Sequence, residues 1–437
     1  MLTPLLLSGA IAAAAPAAQT DDPWRVSGSV RARAEAISGQ FRPAAEPNDT
    51  AVTTRLTLAA ERDFGRLTLG GEAFDSRAFG QGPRSSVGTG EVNALELVQA
   101  YVALRLDREG EQTVQLGRFT MDLGSKRLVS RQNFRNTTNA YTGARLDAPL
   151  AAGDLTAFWV MPQVRLPDDR AGIEDNRIAW DREDPDLQFA GVFWSRDLGG
   201  RRSLELYVYG LMERDDTAVQ TRNRRLATPG FRWRQAAAVG EWDVEVEAAA
   251  QAGQVRRSTA PGDLQDVDVA AGFVHIEAGR TLRHGWSPRL AAQFDYVTGD
   301  GGQGDYGRFD TLYGARRFEF GPAGLYGPVS RANVVSPGVR LEAKPTRRLD
   351  GFVALRGLWL EDARDSLGAT GIIDPSGASG RFGGAQIEAR VRYRVTPDVI
   401  LEGGGARLFK GRALTDAPNA PSQGDTAYGY VDVTYAF

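Results

Sequence analysis

Apolar and polar residues alternate along most of this chain, in stretches separated by glycine-rich or polar segments. From Gln386 to Val395, polar or charged side chains occupy every even position and apolar ones every odd position. The same period of two recurs over 25–37 and 243–248, and it predicts β-strands with one apolar and one charged face. A soluble sandwich or propeller needs bulky apolar residues on its inner faces, where this chain places charge. The pattern therefore favours a barrel wall with lipid outside and a polar lumen inside.

The alternating stretches come in pairs joined by short turns, and long polar segments separate the pairs. The predicted strands span 25–37, 51–64, 66–76, 93–107, 111–121, 139–149, 153–161, 187–197, 202–213, 231–240, 241–254, 266–280, 286–299, 334–344, 348–361, 382–396, 398–410 and 426–437. We therefore predict an all-β fold, a single transmembrane antiparallel up-and-down β-barrel of about eighteen strands. Its long loops are expected to be extracellular and its short turns periplasmic. A closed barrel also removes every sheet edge, as a membrane demands.

The two ends of the chain add signals of export and assembly. Residues 1–18 form an apolar run that ends in small residues, with an Ala15-Pro16-Ala17 cleavage pattern. The run predicts a secretory signal peptide over 1–19, ahead of a barrel over 20–437. The final alternating strand ends in Phe437, and a terminal aromatic residue is typical of outer-membrane proteins. We expect Phe437 to act as the assembly signal for the barrel-assembly machinery; the alternative is that it fills a soluble core.

The composition of the chain excludes several kinds of functional site. The chain has no cysteine and two histidines, His275 and His284, which excludes disulfides and thiolate metal sites and leaves little room for histidine catalysis. A formal net charge of -3 implies no broad basic surface for nucleic acid. No serine nucleophile elbow or His–Asp set is apparent, so we predict that the protein is not an enzyme and that both histidines are ordinary polar side chains. We expect a monomer in contact with outer-membrane lipid, without a cofactor.

The loop from Gly299 to Asp305 is rich in Gly and Asp and superficially resembles a calcium loop, with Asp300 and Asp305 as weak candidate ligands. It lacks the ligand spacing and the closing glutamate of an EF-hand. A plug or lid role for this long loop is the favoured interpretation.

Several segments resemble the alginate export family of outer-membrane barrels. The resemblance covers most of the chain and is densest in two blocks. The first comprises Leu116-Gly117-Arg118, Gly124-Ser125-Lys126-Arg127, Phe134-Arg135-Asn136-Thr137 and Tyr141-Thr142-Gly143-Ala144-Arg145; the second runs from Asp305 to Gly314, with Gly321-Pro322, Arg331-Ala332-Asn333 and Pro337-Gly338. The resemblance implies an eighteen-stranded barrel that secretes an anionic polysaccharide through an arginine-lined pore. It also suggests periplasmic polysaccharide-secretion proteins as partners.

A track for a polyuronate needs cations, and arginine suits it because the guanidinium stays charged and offers paired donors. The pore-lining candidates are Arg31, Arg33, Arg55, Arg105, Arg118, Arg127, Arg131, Arg135, Arg145, Arg340, Arg356, Arg390, Arg392 and Arg394. The acids expected in the lumen are Glu35, Glu61, Glu72, Asp147, Glu205, Asp243, Glu245, Glu247, Asp295, Glu342 and Glu388. In the simpler interpretation, each arginine pairs with a lumen acid and holds water, as in any porin.

The function hypothesis is passive passage of hydrophilic solute, in particular export of an anionic, alginate-like polysaccharide. The acidic strip at 243–247 departs from a purely basic conduit and favours a general or small-solute porin instead. A third alternative is a closed structural or adhesive barrel whose long loops bind partners.

Overall fold

A computed structural model describes residues 24–215, 220–315 and 319–437, so the predicted signal peptide lies outside the described residues. Over these ranges, eighteen antiparallel strands form one sheet in which each strand pairs with the next and β18 pairs with β1. The strands are β1 (Trp24–Ser38), β2 (Asn48–Phe64), β3 (Leu67–Phe79), β4 (Asn93–Arg105), β5 (Thr113–Phe119), β6 (Tyr141–Leu150), β7 (Gly153–Pro162), β8 (Leu187–Gly199), β9 (Arg202–Glu213), β10 (Arg225–Gln235), β11 (Trp242–Arg256), β12 (Asp266–Thr281), β13 (Arg289–Val297), β14 (Val334–Ala343), β15 (Leu349–Trp359), β16 (Phe382–Arg394), β17 (Val399–Lys410) and β18 (Thr426–Ala436). The sheet is a closed barrel, and the predicted fold class is confirmed.

The two faces of each strand differ as the alternation predicts. On β1, Val26 and Val30 are 60% and 46% exposed, whereas Arg31 and Arg33 are 3% exposed inside the barrel. Exposed Val, Leu, Ile and aromatic side chains of this kind lie around the outer wall. In water such a surface would be unfavourable, whereas in a bilayer it contacts acyl chains.

Connections at one rim are short and those at the other are long. Residues 65–66, 151–152 and 200–201 are tight turns of the short rim, whereas 163–186, 298–333 and 360–381 belong to the long rim. Barrels of the outer membrane place the short turns in the periplasm. In the described part of the chain the helices are α1 (Arg170–Glu174) and α2 (Arg412–Thr415), both in long-rim loops. No helix there is long and apolar enough to span a membrane.

The long-rim loops fold partly into the barrel and form a core there. Buried Phe119, Phe189, Phe320 and Leu325 belong to one apolar cluster between loops and wall. The interior is therefore packed toward the extracellular side.

The position of β10 differs from the prediction. The alternation predicts a strand over 231–240, whereas β10 spans Arg225–Gln235. Pro229 and Gly230 resemble a turn in the sequence, but both lie within the strand, where Pro229 pairs with Val208 of β9. The pairing of β10 with β11 is interrupted between Ala227 and Gly230, because proline has no N–H to donate to the ladder there.

Closure of the barrel places the terminal residue against β1. Gly28 N donates to Phe437 O at 2.9 Å, and Phe437 N donates to Gly28 O at 3.0 Å. A Cβ at Gly28 would lie 2.5 Å from Cζ of Phe437 and 2.7 Å from the Thr57 carbonyl oxygen. Gly28 is therefore the residue that lets β1 fit between β2 and the end of β18. The role of Phe437 in assembly stays a prediction.

We expect Gly28→Ala to destabilise the closed barrel by about 1–3 kcal/mol, because the backbone of β2 cannot yield as a side chain can. The measurement is the urea midpoint of the barrel reconstituted in lipid, read from its heat-modifiable mobility on gels. Gly71→Ala is the matched control, since its Cβ would be 3.6 Å from the nearest atom, the Gln99 carbonyl oxygen. Equal midpoints for the two variants would contradict the close approach at Gly28.

Candidate functional site

A polar cavity of about 1840 Å³ lies inside the barrel and reaches its periplasmic rim. At that rim it is lined by the turn residues Ala236, Pro397 and Asp398. At its inner end it is lined by two loops, the β5–β6 loop (residues 120–140) and the β13–β14 loop (residues 298–333). The cavity therefore extends from the periplasmic mouth to these two inward-folded loops.

The β5–β6 loop is held by arginines of β1 and β2. Arg31 Nη1 donates to the carbonyl of Asn133 at 3.1 Å, and Arg33 Nη1 donates to that of Phe134 at 2.9 Å. Arg55 Nη1 donates to the Asn133 carbonyl at 3.0 Å. These guanidinium groups satisfy loop carbonyls that would otherwise be buried without a donor. Three of the arginines predicted from strand parity thus support the loop as well as line the cavity.

Asn136 fixes the far side of the same loop. Its Nδ2 donates to the carbonyls of Thr54 at 3.0 Å and Glu91 at 2.8 Å, and its Oδ1 accepts from Arg31 Nη2 at 2.9 Å. The side chain is 2% exposed, and its hydrogen bonds join β1, β2 and the loop that precedes β4. A shorter polar residue could not reach all three.

The two inward loops cross at Gly314. Val129 and Tyr313 form a parallel β-bridge, and Tyr313 N donates to the Leu128 carbonyl at 3.0 Å. A Cβ at Gly314 would lie 1.6 Å from the carbonyl oxygen of Arg127, so the crossing requires glycine at this position. The loops are therefore one connected body inside the barrel.

Arg127 ties that body to the barrel wall. Its Nη2 lies 2.7 Å from Oε1 of Glu319 in the β13–β14 loop, and its Nη1 lies 2.6 Å from Glu245 and 2.5 Å from Glu247 on β11. Arg331 also pairs with Glu319. Burial alone would raise the pKa of Glu319, but Arg127 and Arg331 outweigh it and hold that pKa below the usual range. Glu319 is thus kept ionised, as the clamp requires.

A second buried network lies on the wall beside it. His275 Nδ1 is 2.7 Å from Asp295 Oδ1, and Arg356 Nη1 donates to Asp295 Oδ2 at 3.0 Å. Arg356 also donates to Gln293 at 2.8 Å. His275 is fully buried on the lumen side of β12, and no local pattern indicates its partners. That it is an ordinary polar side chain without a catalytic role stays a prediction.

Most charges on the cavity wall are paired. Arg392 lies 2.8 Å from Glu402, Arg340 lies 2.6 Å from Glu342, and Arg390 pairs with Asp350. Across the cavity, Arg232 bridges Glu205 and Glu245, and Arg289 bridges Asp243 and Glu277. The lumen therefore carries alternating ion pairs instead of a continuous basic surface.

The periplasmic mouth is different. Arg234, Arg348 and Arg394 line the cavity there, and none of them has an ion pair within the described ranges. Arg394 stands at the end of β16, and its backbone N–H donates to the carbonyl of Arg348 at 2.8 Å. Arg196 and Arg202 at this rim have no ion pair within those ranges either, and the same is true of the acids Asp154, Asp197 and Asp398. Unpaired charges of both signs therefore meet at the periplasmic mouth, with arginine in excess.

The structure brings many of the predicted residues to the cavity. The candidates that line it are Arg31, Arg33, Arg55, Arg131, Arg135, Arg340, Arg390, Arg392, Arg394, Glu61, Glu72, Glu205, Asp243, Glu245 and Glu342. Buried among the loops and the wall are Arg127, Arg356, Glu35, Glu247, Asp295 and Glu388. Whether these residues carry solute stays a prediction.

Other candidates lie outside the lining of this cavity, and their role in the pore stays a prediction. Arg105 bonds the carbonyl of Gly65 at 2.9 Å at the periplasmic turn, and Arg145 pairs with Asp147 on its own strand at 2.8 Å. Arg118 lies on the same face of β5 as the lipid-exposed Leu116, and its guanidinium group pairs with Glu96 and Glu183, both at 2.7 Å. Strand parity alone does not distinguish the cavity from the rims.

The site residues predicted from the sequence do not include several wall residues that the structure places in the site. Arg232, Arg289, Glu402 and Asp432 occupy lumen positions of their strands, so the alternation already indicated their face. Glu319 and Arg331 lie in a loop, where no period predicts the direction of a side chain.

The calcium interpretation gains no support. Asp300 pairs with Arg257 at 2.6 Å. Over residues 24–215, 220–315 and 319–437, no group of three or more Asp, Glu, His or Cys side chains is arranged to hold a metal ion.

Comparison with known proteins identifies the family. The model of the alginate export family matches residues 23–427. The chain belongs to the alginate export family. No curated protein matches it.

Among solved structures, this family member resembles Pseudomonas aeruginosa OccK8 (OprE) with a TM-score of 0.62 and 11% identity, covering 95% of this chain and 98% of that one. A BenF-like porin from Pseudomonas fluorescens Pf-5 gives 0.61 and 11%, covering 95% and 98%. Acinetobacter baumannii OccAB1 gives 0.60 and 13%, covering 94% and 96%. At such identities the likeness shows the fold. Together with the family, it identifies an outer-membrane channel.

We expect Arg127→Gln to loosen the inward loops. The single-channel current in planar bilayers should then be larger than that of the parent or fluctuate more. The change leaves buried Glu247 without its cation, at a cost of about 3–5 kcal/mol, whereas Glu245 keeps Arg232 and Glu319 keeps Arg331. Lys126→Gln is the matched control, because it removes one charge from a partly exposed pair with Asp122. A current trace for Arg127→Gln that matches the parent and the control would contradict a clamp at Arg127.

Proposed function

We propose that this channel passes chains of carboxylate-bearing sugars from the periplasm outward. The observation that carries the proposal is the unpaired charge at the periplasmic mouth, where Arg234, Arg348 and Arg394 line the cavity. Cations without an internal partner attract anions over roughly a Debye length, about 8 Å at physiological salt. An anionic chain would therefore meet these arginines first.

Deeper in the cavity, carboxylates of the solute would exchange with carboxylates of the wall. Arg392 and Arg390 both lie near Glu402, at 2.8 Å and 3.7 Å, so the two guanidinium groups share one acid. A solute carboxylate that binds one of these arginines replaces part of the contact between that arginine and Glu402. The net gain in binding free energy is therefore small. Binding at each step is then weak enough for the solute to leave, as conduction requires.

Phe352 lies between two cations of this wall. The guanidinium carbon of Arg340 lies 3.6 Å from its ring centroid and that of Arg390 lies 5.2 Å away on β16. The ring is 6% exposed, so it supports the two guanidinium groups at the cavity wall, where a solute carboxylate can reach them.

The inward loops set the condition for export. They line the inner end of the cavity at Asn133, Ala315 and Ala323, so a polymer would leave only when they move aside. Their attachment through Arg127 to β11 is the contact that must yield.

The main alternative is a small-solute porin. It is favoured by the acids Asp243, Glu245 and Glu277 on the opposite wall and by the porin named among the similar structures. Small ions and sugars would then pass beside fixed loops.

Reversal potentials in a salt gradient, with the periplasmic side identified, test the proposal. We expect the parent to prefer anions and a polyuronate added at the periplasmic side to block the current, whereas neutral dextran does not. Arg348→Gln/Arg394→Gln should weaken the block by about two- to fivefold per arginine, as for exposed ion pairs.

Arg105→Gln is the control, because Arg105 is also at the periplasmic rim but pairs with Asp63. A cation-preferring parent that the polyuronate does not block would overturn the proposal. Block by monomeric uronate alone would favour the small-solute porin.

A further inference from the structure

The same pair of residues occurs twice on the outer wall of the barrel, at the periplasmic ends of strands. Trp24 of β1 stands directly opposite Arg62 of β2, and Trp242 of β11 stands directly opposite Arg280 of β12. The Arg62 guanidinium carbon lies 5.3 Å from the Trp24 ring and 4.7 Å from the Phe64 ring. That of Arg280 lies 5.5 Å from the Trp242 ring. In the ring of strands, the two pairs lie on nearly opposite sides.

Both pairs face the membrane and not the lumen. Arg62 follows the exposed Leu56 and Leu58 at even positions of β2, and Arg280 follows the exposed Ile276 at even positions of β12. Trp24, Phe64 and Trp242 are about half exposed. Exposed tryptophan at the ends of strands is typical of the aromatic belt, where the wall of a barrel meets the lipid headgroups.

Neither arginine has a hydrogen-bond acceptor in the part of the chain that the structure describes. Within the described ranges, the side chains of Arg62 and Arg280 make no hydrogen bond and no ion pair, and Arg62 Nε is buried without a partner. The nearby acids are already used: Glu61 and Asp63 pair with Arg25, at 3.3 Å and 3.0 Å. Beside Arg280, Asp243 pairs with Arg289 inside the barrel.

Outward-facing arginines at the extracellular rim are different. Arg77 pairs with Asp75 at 2.9 Å, Arg225 pairs with Asp266, and Arg407 pairs with Asp425 at 3.5 Å. Arg407 also lies over an aromatic ring, that of Phe409, at 5.0 Å. The same cation and aromatic ring thus occur at both rims, but the carboxylate is present at the extracellular one. At the periplasmic rim the described residues supply no carboxylate to Arg62 or Arg280, so both guanidinium groups are open to an anion from outside the chain.

We propose that Arg62 with Trp24, and Arg280 with Trp242, are two binding sites for anionic glycerophospholipid headgroups of the periplasmic leaflet. The guanidinium group donates to the phosphate, since arginine matches phosphate geometry with paired donors. The tryptophan ring covers one face of the guanidinium and lies among the lipid at the glycerol level. A headgroup without an ammonium group is preferred, because it brings no cation to compete with the arginine.

Native mass spectrometry of the detergent-solubilised barrel, with phosphatidylglycerol or phosphatidylcholine added, tests the two sites. We expect the parent to retain up to two phosphatidylglycerol molecules in preference to phosphatidylcholine. In Arg62→Gln/Arg280→Gln, binding should be about tenfold weaker per site, as for the loss of a charged hydrogen bond. Each single variant should keep one lipid.

Arg407→Gln is the matched control and should retain lipid as the parent does. Heat-modifiable mobility on gels verifies that every variant is a closed barrel. Equal retention of the two lipids by the parent, or unchanged retention by the double variant, would overturn the proposal. Both arginines face away from the cavity, so the conductance of the double variant should equal that of the parent, which separates this test from that of the channel's substrate.

Discussion

In the hydrocarbon of a bilayer, an unpaired backbone N–H or C=O group costs several kcal/mol, because no water is present to bond it. A sheet in that medium must close, and here the ladder between β1 and β18 removes the last edge. Closure fixes the alternation of every strand, since one parity then meets lipid and the other meets the lumen. The exposed valines and buried arginines of β1 follow from this one constraint.

A ring of this many strands is wide, and its interior must be filled or left open to water. This barrel fills the extracellular part with its own loops, and the filling brings charges into a buried place. Each buried charge has a partner on another element, which offsets the free-energy cost of burying it. The examples are Arg127, Glu319, Glu245 and Glu247. Such a cluster contributes little net stability but is costly to break, so it defines one arrangement of the loops.

The sequence predicted the wall well because a period of two is a local property. It failed at β10, where Pro229 and Gly230 have turn chemistry but lie inside a strand. It placed Arg31 and Arg33 inside the barrel correctly, yet their donors bind carbonyls about a hundred residues away, which no local pattern indicates. The segments that carry the family resemblance include parts of both inward loops, but the resemblance gives no contacts between them. Long-range loop packing is therefore the part of the site that the structure adds.

The long-rim loops lie inside the barrel, and because the chain has no cysteine, single introduced cysteines test this placement directly. Ala323 lines the inner end of the cavity, so Ala323→Cys should react with a bulky polymer maleimide only after the outer membrane is permeabilised. Ala260→Cys, on the exposed loop between β11 and β12, should react in intact cells. Rapid labelling of Ala323→Cys in intact cells would contradict the account, because the loop would then stand outside the barrel.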